Sequence, residues 1–275
     1  MADNVIQNFL DTSFVHEGRS VQVAMTQEEH RALFDRIQTQ WTGYGDSEPF
    51  ASVLSDEQFL KENIQQNRYI LEASGQEVVR RLQAVAERNQ VTLVKGKCLE
   101  LGCGVGRITK PLSQVFDHVV AADISPGNLE VCKKHVHDGG ARNVEALLLQ
   151  SPEHIAAVHG IDAFVSVIVL QHNPPPVQYF LLDSILGHIN PGGVAFFQTA
   201  TFNPGYAYQI GHHLSLDTPA FESWSLHCLP MKHILQLFRK HGLEVLEVIE
   251  DGQTGGLHNR FHSHSFFAVK PSASA

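Results

Sequence analysis

The stretch that most constrains this chain is Cys98-Leu-Glu-Leu-Gly-Cys-Gly-Val-Gly-Arg-Ile-Thr109. An apolar run reaches an acid, Glu100, and then gives way to glycines at alternate positions, Gly102, Gly104 and Gly106, before an amphipathic helix. A buried strand can break into a tight loop there, because glycine tolerates φ > 0 and lets a ligand approach bare backbone. The helix that follows offers unpaired N–H groups at its N-terminus. The spacing then discriminates among nucleotide-like ligands. A dinucleotide fingerprint reads G-x-G-x-x-G, and its third glycine would fall where Arg107 stands. The pattern here is E-x-G-x-G-x-G, and the Glu100 carboxylate ahead of it suits a cation, not a pyrophosphate.

This loop resembles that of the class I S-adenosylmethionine-dependent methyltransferases, in which E/D-x-G-x-G-x-G holds the amino-acid end of a cofactor whose sulfonium and ammonium are both cationic. The resemblance implies a cofactor seat at Glu100, Gly102, Cys103, Gly104 and Gly106. His118-Val-Val-Ala-Ala-Asp-Ile124 then reads as a second apolar strand ending in an acid, Asp123, seventeen residues after Gly106. A carboxylate at that point can accept both ribose hydroxyls in charge-assisted hydrogen bonds, with Ile124 on the adenine face. A helix cap before Ser125-Pro-Gly is the plainer role for Asp123.

The third strand, Asn143–Leu149, ends at Gln150-Ser151, where many family members carry an acid that accepts from the adenine amino group. Gln150 can accept through its carbonyl and donate to a ring nitrogen, so adenine reading stays open between Gln150 and Ser151. The fourth strand, Ile161–Leu170, is nearly all apolar, as a central parallel strand buried on both faces should be, and places Val169 beside the cofactor. It runs into Gln171-His172-Asn173-Pro174-Pro-Pro. A helix over about 176–189 and Asn190-Pro-Gly-Gly193 precede a fifth strand, Val194–Thr199. The resemblance covers residues 96–200.

Strand–helix alternation over that span predicts an α/β, doubly wound, mostly parallel seven-stranded sheet with right-handed crossovers. Ligands of such sheets sit at the carboxyl ends of the strands, at the switch point. After it come a helix over Met231–His241, a strand over Leu243–Ile249 and a last strand over Ser263–Lys270, which the resemblance implies is antiparallel beside the fifth. Three regions are expected: an N-terminal arm over 1–25, a helical cap or lid over 26–92, and a methyltransferase domain over 93–275 with a 201–229 insertion above the site. In the cap, Thr26 with Glu29 forms a capping box for a helix through Trp41, Ser55 with Gln58 another, and Gly75 marks a break before a helix over 76–89. Residues 41–53 between them read as a turn-rich loop carrying Trp41, Tyr44 and Phe50.

With 275 residues, 43% of them hydrophobic, the chain can bury a full core. A net charge of −9 without a Lys/Arg-rich tract argues against a nucleic-acid partner, which would need a basic band along the phosphates. The longest apolar run, near 163–170, is too short to cross a bilayer, and no signal-peptide pattern opens the sequence, so no membrane partner is expected. Four cysteines (98, 103, 132 and 228) lack C-x-x-C pairing, which points to reduced thiols and a cytoplasmic location. A homodimer is left open.

Methyl transfer to a hydroxyl needs a nucleophile at near-attack distance and a base for its proton. His172, where the fourth strand leaves the sheet, is the candidate base, because an ordinary imidazole titrates near neutrality. Its plainer role is to cap backbone or pack on the cofactor. Asn173 either orients the acceptor or begins the turn before the prolines. Candidate acceptor contacts are Trp41, Tyr44 and Arg68 from the cap and His212, His213, His227 and His262 from the C-terminal half. No metal is expected, since His212-His213 point apart on a regular element and His258-x-x-x-His262-x-His264 includes no acid. The expected function is S-adenosylmethionine-dependent O-methylation of a small polar metabolite or sugar-type acceptor. The alternatives are N-methylation of a small molecule, a non-catalytic S-adenosylmethionine-binding regulator, and a nicotinamide oxidoreductase, which the missing glycine at 107 disfavours.

Overall fold

The computed structural model describes residues 20–54, 57–216, 225–253 and 261–272. Most of the expected arm, Ser55, part of the 201–229 insertion and His258 lie outside the described residues. The elements run α1 (Gln27–Ser47), α2 (Ala51–Leu54), α3 (Ile64–Arg88), β1 (Lys97–Leu101), α4 (Thr109–Leu112), β2 (His118–Asp123), α5 (Pro126–Asp138), β3 (Val144–Leu148), α6 (Pro152–Ala156), β4 (Ile161–Ser166), α7 (Pro175–Gly187), β5 (Ile189–Phe202), α8 (Ile210–Ser215), α9 (Met231–Lys240), β6 (Glu244–Glu250) and β7 (His262–Val269).

The strands form one seven-stranded sheet in the order β3-β2-β1-β4-β5-β7-β6. β3, β2, β1, β4 and β5 pair in parallel, while β7 runs antiparallel between β5 and β6. The strand order reverses between β1 and β4, so the crevice above their carboxyl ends is the place where a ligand is expected. Alternation along each strand feeds two cores. Leu99, Leu101, Val120 and Phe164 join α7 and α9 on one face. Cys98, Val119, Ala163 and Val165 join Val78, Val79 and Leu82 of α3 on the other.

Thr26 caps α1 as expected: its Oγ1 accepts from Glu29 N at 3.2 Å, and its own N–H donates to Glu29 Oε2 at 2.7 Å. Two expected breaks are absent. α1 continues to Ser47 through the stretch read as a loop, and α3 runs unbroken across Gly75. Both glycines serve close packing. A Cβ on Gly45 would lie 2.0 Å from Ser125 Oγ, and one on Gly75 would lie 1.9 Å from the Arg107 carbonyl oxygen. The absence of a side chain lets α1 lie against the start of α5 and lets α3 lie against the loop after β1. The second half of α3 is thus a covering helix of the sheet, not only part of a lid.

Candidate active site

The loop after β1 takes the shape that its glycines allow. Gly102, Gly104 and Gly106 have φ of +73°, +52° and +84°, all in the left-handed region. Backbone N–H groups of Gly102 and Cys103 both reach the Ala122 carbonyl, at 2.7 and 3.1 Å, which ties the loop to the end of β2. Above it opens a cleft of about 920 Å³, open mouth included, roofed by α1 and α2 and floored by the ends of β1, β2 and β4. Gly106 does not line it; a Cβ there would meet Cys132 Sγ of α5 at 3.0 Å, so its role is helix packing.

Three charged side chains line the cleft, and all are buried. Glu100 accepts from Thr109 Oγ1 at 2.6 Å. Burial pushes its carboxyl up to about 7, against the Thr109 hydrogen bond and the Arg107 charge, which favour ionisation. A carboxylate so short of compensating charge is poised for a cation. Arg107 is its counterpart. Burial lowers it to about 10, Nη1 reaches Ser74 Oγ at 3.4 Å, and Nε has no partner among the described residues. A buried guanidinium with an orphaned N–H fits a carboxylate.

Asp123 accepts from Gly104 N through Oδ2 and from Ser125 N through Oδ1, both at 2.8 Å. Burial raises its pKa, and these N–H bonds oppose the shift. The helix cap of α5 is Ser125, whose hydroxyl accepts from Asn128 N at 3.2 Å. Capping is therefore not the role of Asp123. Its oxygens keep lone pairs that can take a diol. Ile124, Leu149 and Val169 supply apolar walls for a purine.

Gln150 is exposed and does not line the cleft, nor does Ser151; the neighbouring Leu149 does. The cleft wall on this edge is the apolar Leu149, where the sequence suggested Gln150 or Ser151.

At the other end of the cleft stand His172, Asn173 and Trp41. Nδ1 of His172 lies 3.2 Å from the Ser225 carbonyl oxygen, which can only accept, so Nδ1 carries the hydrogen and Nε2 the lone pair. Burial drives this imidazole down to about 4, with the Ser225 contact opposing. The near-neutral value expected from the sequence is corrected: desolvation outweighs everything else around the ring. Asn173 Nδ2 donates to the Val169 carbonyl at 2.9 Å, closing the turn after β4. Trp41 meets the His172 ring at 5.3 Å, and Tyr44 is buried behind Trp41 at 5.6 Å, outside the lining.

The remaining expected contacts lie elsewhere. His227 is buried, shares a 2.8 Å hydrogen bond with Tyr206 Oη, and packs on His213 at 5.5 Å. Burial lowers His227 to about 3 and His213 to about 4. Neither ring lines the cleft. His212 is exposed on α8. His262 pairs with Glu250 at 2.9 Å on the β6–β7 ribbon. Arg68 is turned to His135 Nδ1 at 2.9 Å and to Glu72 at 3.5 Å, away from the cleft. None of His212, His262 and Arg68 lines the cleft. Among the described residues no three His, Cys, Asp or Glu converge as a metal site. The sequence reading missed Arg107, which it treated only as an absent glycine, and the lining residues Phe34, Ile37, Ser52, Val53, Asn128 and Leu181.

Residues 98–193 match a family model described as a methyltransferase domain. Residues 98–193 are thus similar to a methyltransferase domain. The buried guanidinium of Arg107 and the buried carboxylates of Glu100 and Asp123 in the cleft are groups of the kinds that S-adenosylmethionine needs. A "tRNA/tmRNA (uracil-C(5))-methyltransferase" of Nitratiruptor sp. is 37% identical over 26% of the chain and 20% of its own length. A "Ubiquinone biosynthesis O-methyltransferase" of Dinoroseobacter shibae is 28% identical over 39% of the chain and 42% of its own length. The chain thus spans less than half of either relative. A magnesium protoporphyrin IX methyltransferase of Synechocystis PCC 6803, solved with S-adenosylhomocysteine, superposes with a TM-score of 0.55 at 17% identity, covering 85% of this chain and 99% of that one. At that identity the likeness is one of fold.

Proposed function

We propose that this methyltransferase transfers a methyl group to a hydroxyl of a small-molecule acceptor, with His172 as proton acceptor. The observation that carries this reading is the arrangement of one cleft. The charged side chains Glu100, Arg107 and Asp123 gather around the glycine loop, and a neutral imidazole and Trp41 stand at the opposite end. When bound, S-adenosylmethionine supplies a methyl on a sulfonium, so that the acceptor oxygen gains the methyl, the C–S electron pair returns to sulfur, and S-adenosylhomocysteine and a proton leave.

The residues of this chain do the rest. Glu100 would hold the ammonium and Arg107 the carboxylate of the amino-acid end, which would set its orientation. α1 and α2 cover the cleft and exclude water from it. His172 Nε2 can receive the acceptor proton because Nδ1 is committed to the Ser225 carbonyl. A small molecule suits a site roofed by helices, in a chain whose net charge of −9 disfavours a nucleic-acid backbone. No helix among the described residues is long and apolar enough to cross a membrane. The four cysteines are free and buried, in keeping with a reducing, cytoplasmic setting.

The test is to incubate purified protein with methyl-labelled S-adenosylmethionine and a fractionated cell extract. Label should enter the small-molecule fraction as a base-stable ether. Label in the RNA or protein fraction, or as a methylamine, would overturn the reading.

A further inference from the structure

We propose that Gln198 is a positioning residue for the methyl transfer: its buried amide holds Ile168 in a left-handed backbone conformation and so sets the loop that carries Val169 and His172. The role rests on the proposed methyl transfer and adds to it the side chain that aims both ends of the cleft. Ile168 has φ of +61° and lines the cleft. A β-branched residue keeps that conformation only where its surroundings over-determine it, and such strain gathers at working sites. Here the restraint comes from β5. The Ile168 N–H donates to Gln198 Oε1 at 2.9 Å, and Gln198 is 1% exposed.

The direction of each hydrogen bond around Gln198 follows from the two ends of its network. A backbone N–H can only donate, so Oε1 faces Ile168 and Nε2 faces away. Nε2 then donates to Gln171 Oε1 at 2.6 Å and to Ser263 Oγ of β7. Ser263 passes its own hydroxyl hydrogen to Asp251 Oδ1 at 2.6 Å, and a carboxylate accepts. Gln171 donates to the Gln253 carbonyl at 3.3 Å, while its backbone carbonyl accepts from His227 N at 2.8 Å. Gln198, Gln171 and Ser263 are all buried, where an unmade hydrogen bond is costly. Turning the Gln198 amide over would set its NH₂ against the Ile168 N–H, two donors face to face.

What Gln198 holds reaches both ends of the cleft. Val169 follows Ile168 and fills the space above Gly102, where an added Cβ would lie 2.3 Å from Val169 Cγ2. The Val169 carbonyl accepts from His172 N at 3.0 Å and from Asn173 Nδ2 at 2.9 Å. Relaxation of Ile168 to negative φ would therefore shift a wall of the cofactor seat and the His172 ring together. The bond to Gln171, next to His172, holds the same loop at a second point.

The experiment is a double-mutant cycle in the full chain between Gln198→Leu and Ile168→Gly, because glycine takes φ of +61° without strain and needs no such hold. Calorimetry reads S-adenosylhomocysteine affinity. The second readout, at saturating labelled S-adenosylmethionine, is the rate of label entry into the small-molecule fraction of a cell extract. Gln198→Leu alone should weaken binding at least about fivefold and slow transfer at least about tenfold, as a misplaced seat and base would. In the Ile168→Gly background the same change should cost no more than about a third of each factor. A larger factor there overturns the proposal, as does a folded Gln198→Leu protein that falls short of either loss; the side chain would then merely fill the core. If Gln198→Leu does not fold, Gln198→Asn takes its place under the same thresholds, since it keeps the amide but draws it back by one methylene. Wild-type protein that binds S-adenosylhomocysteine but transfers no label to this fraction would overturn the proposed methyl transfer, and the cycle in binding would still judge the hold on the loop. Wild-type protein that binds no S-adenosylhomocysteine would overturn both.

Discussion

The two ends of the cleft are built differently. The cofactor end is charged and set by neighbours in sequence: three glycines at φ of +52° to +84°, a carboxylate two residues ahead of them, a guanidinium one residue after, and Asp123 at the next strand end. The other end, proposed for the acceptor, is uncharged among the described residues and assembled from distant segments, with Trp41 of α1 against His172 after β4 at 5.3 Å. Backbone conformation makes the first end and leaves a local pattern. Burial and aromatic packing make the second, and they leave none.

The largest effect expected is at the glycine loop. Gly104→Val places a β-branched residue at φ +52° with its Cβ 2.6 Å from Val53 Cγ2. Left-handed strain of about 1–3 kcal/mol distorts the loop and the new side chain crowds the seat above it, so S-adenosylhomocysteine binding should be abolished, measured by calorimetry on a variant checked for native circular dichroism. Near wild-type affinity would move the cofactor away from this loop.

At the other end, His172→Ala should reduce kcat by about 10²–10⁴-fold and leave cofactor affinity within a few fold. The pH profile sharpens this. Burial holds the imidazole at about 4 in place of the usual 6.5, so it is unprotonated through neutrality and the rate should stay level until the pH nears 4. A midpoint near 6.5 would mean that the ring is solvated in the working enzyme. Stability carries the same signature. The unfolded chain takes the proton first, so stability is full above about 6.5 and is lost as the pH falls toward 4. Acid unfolding of His172→Ala should lose part of that slope.

Asp123→Ala comes next. Loss of hydrogen bonds to a charged group costs about 1.5–3 kcal/mol, so S-adenosylhomocysteine should bind about 10- to 150-fold more weakly. Asp123 also accepts from Gly104 N and Ser125 N at 2.8 Å, so thermal stability should fall as well. An unchanged melting temperature would show that those backbone bonds find other acceptors. The smallest effect is at Arg68, whose partners are His135 and Glu72. Arg68→Ala should change cofactor affinity and turnover by less than about twofold, as for other surface pairs. A tenfold loss would place this residue back in the site.

This contrast explains what the sequence made legible. Glu100, the glycines and Asp123 can be read because the chemistry demands those residues at fixed spacing along one strand–loop–strand unit. Gly45 and Gly75 mislead because a glycine that breaks a helix and one that lets a helix approach look alike in sequence. Only the contacts with Ser125 and the Arg107 carbonyl, at 2.0 and 1.9 Å for an added Cβ, separate the two uses. At the end of β3, Leu149 lines the cleft and Gln150 does not, since a step of one residue at a strand end turns the side chain to the other side. The depressed pKa of His172 has no local signal either, because its cause is burial beneath segments far away in the chain.

The most direct test is a crystal structure of the protein with S-adenosylhomocysteine. The amino-acid end should lie over Gly104 between Glu100 and Arg107, the ribose on Asp123, and the thioether sulfur toward His172 and Trp41. Adenine over the glycine loop, or a sulfur turned away from His172, would contradict the division of this cleft into a charged cofactor end and an uncharged acceptor end.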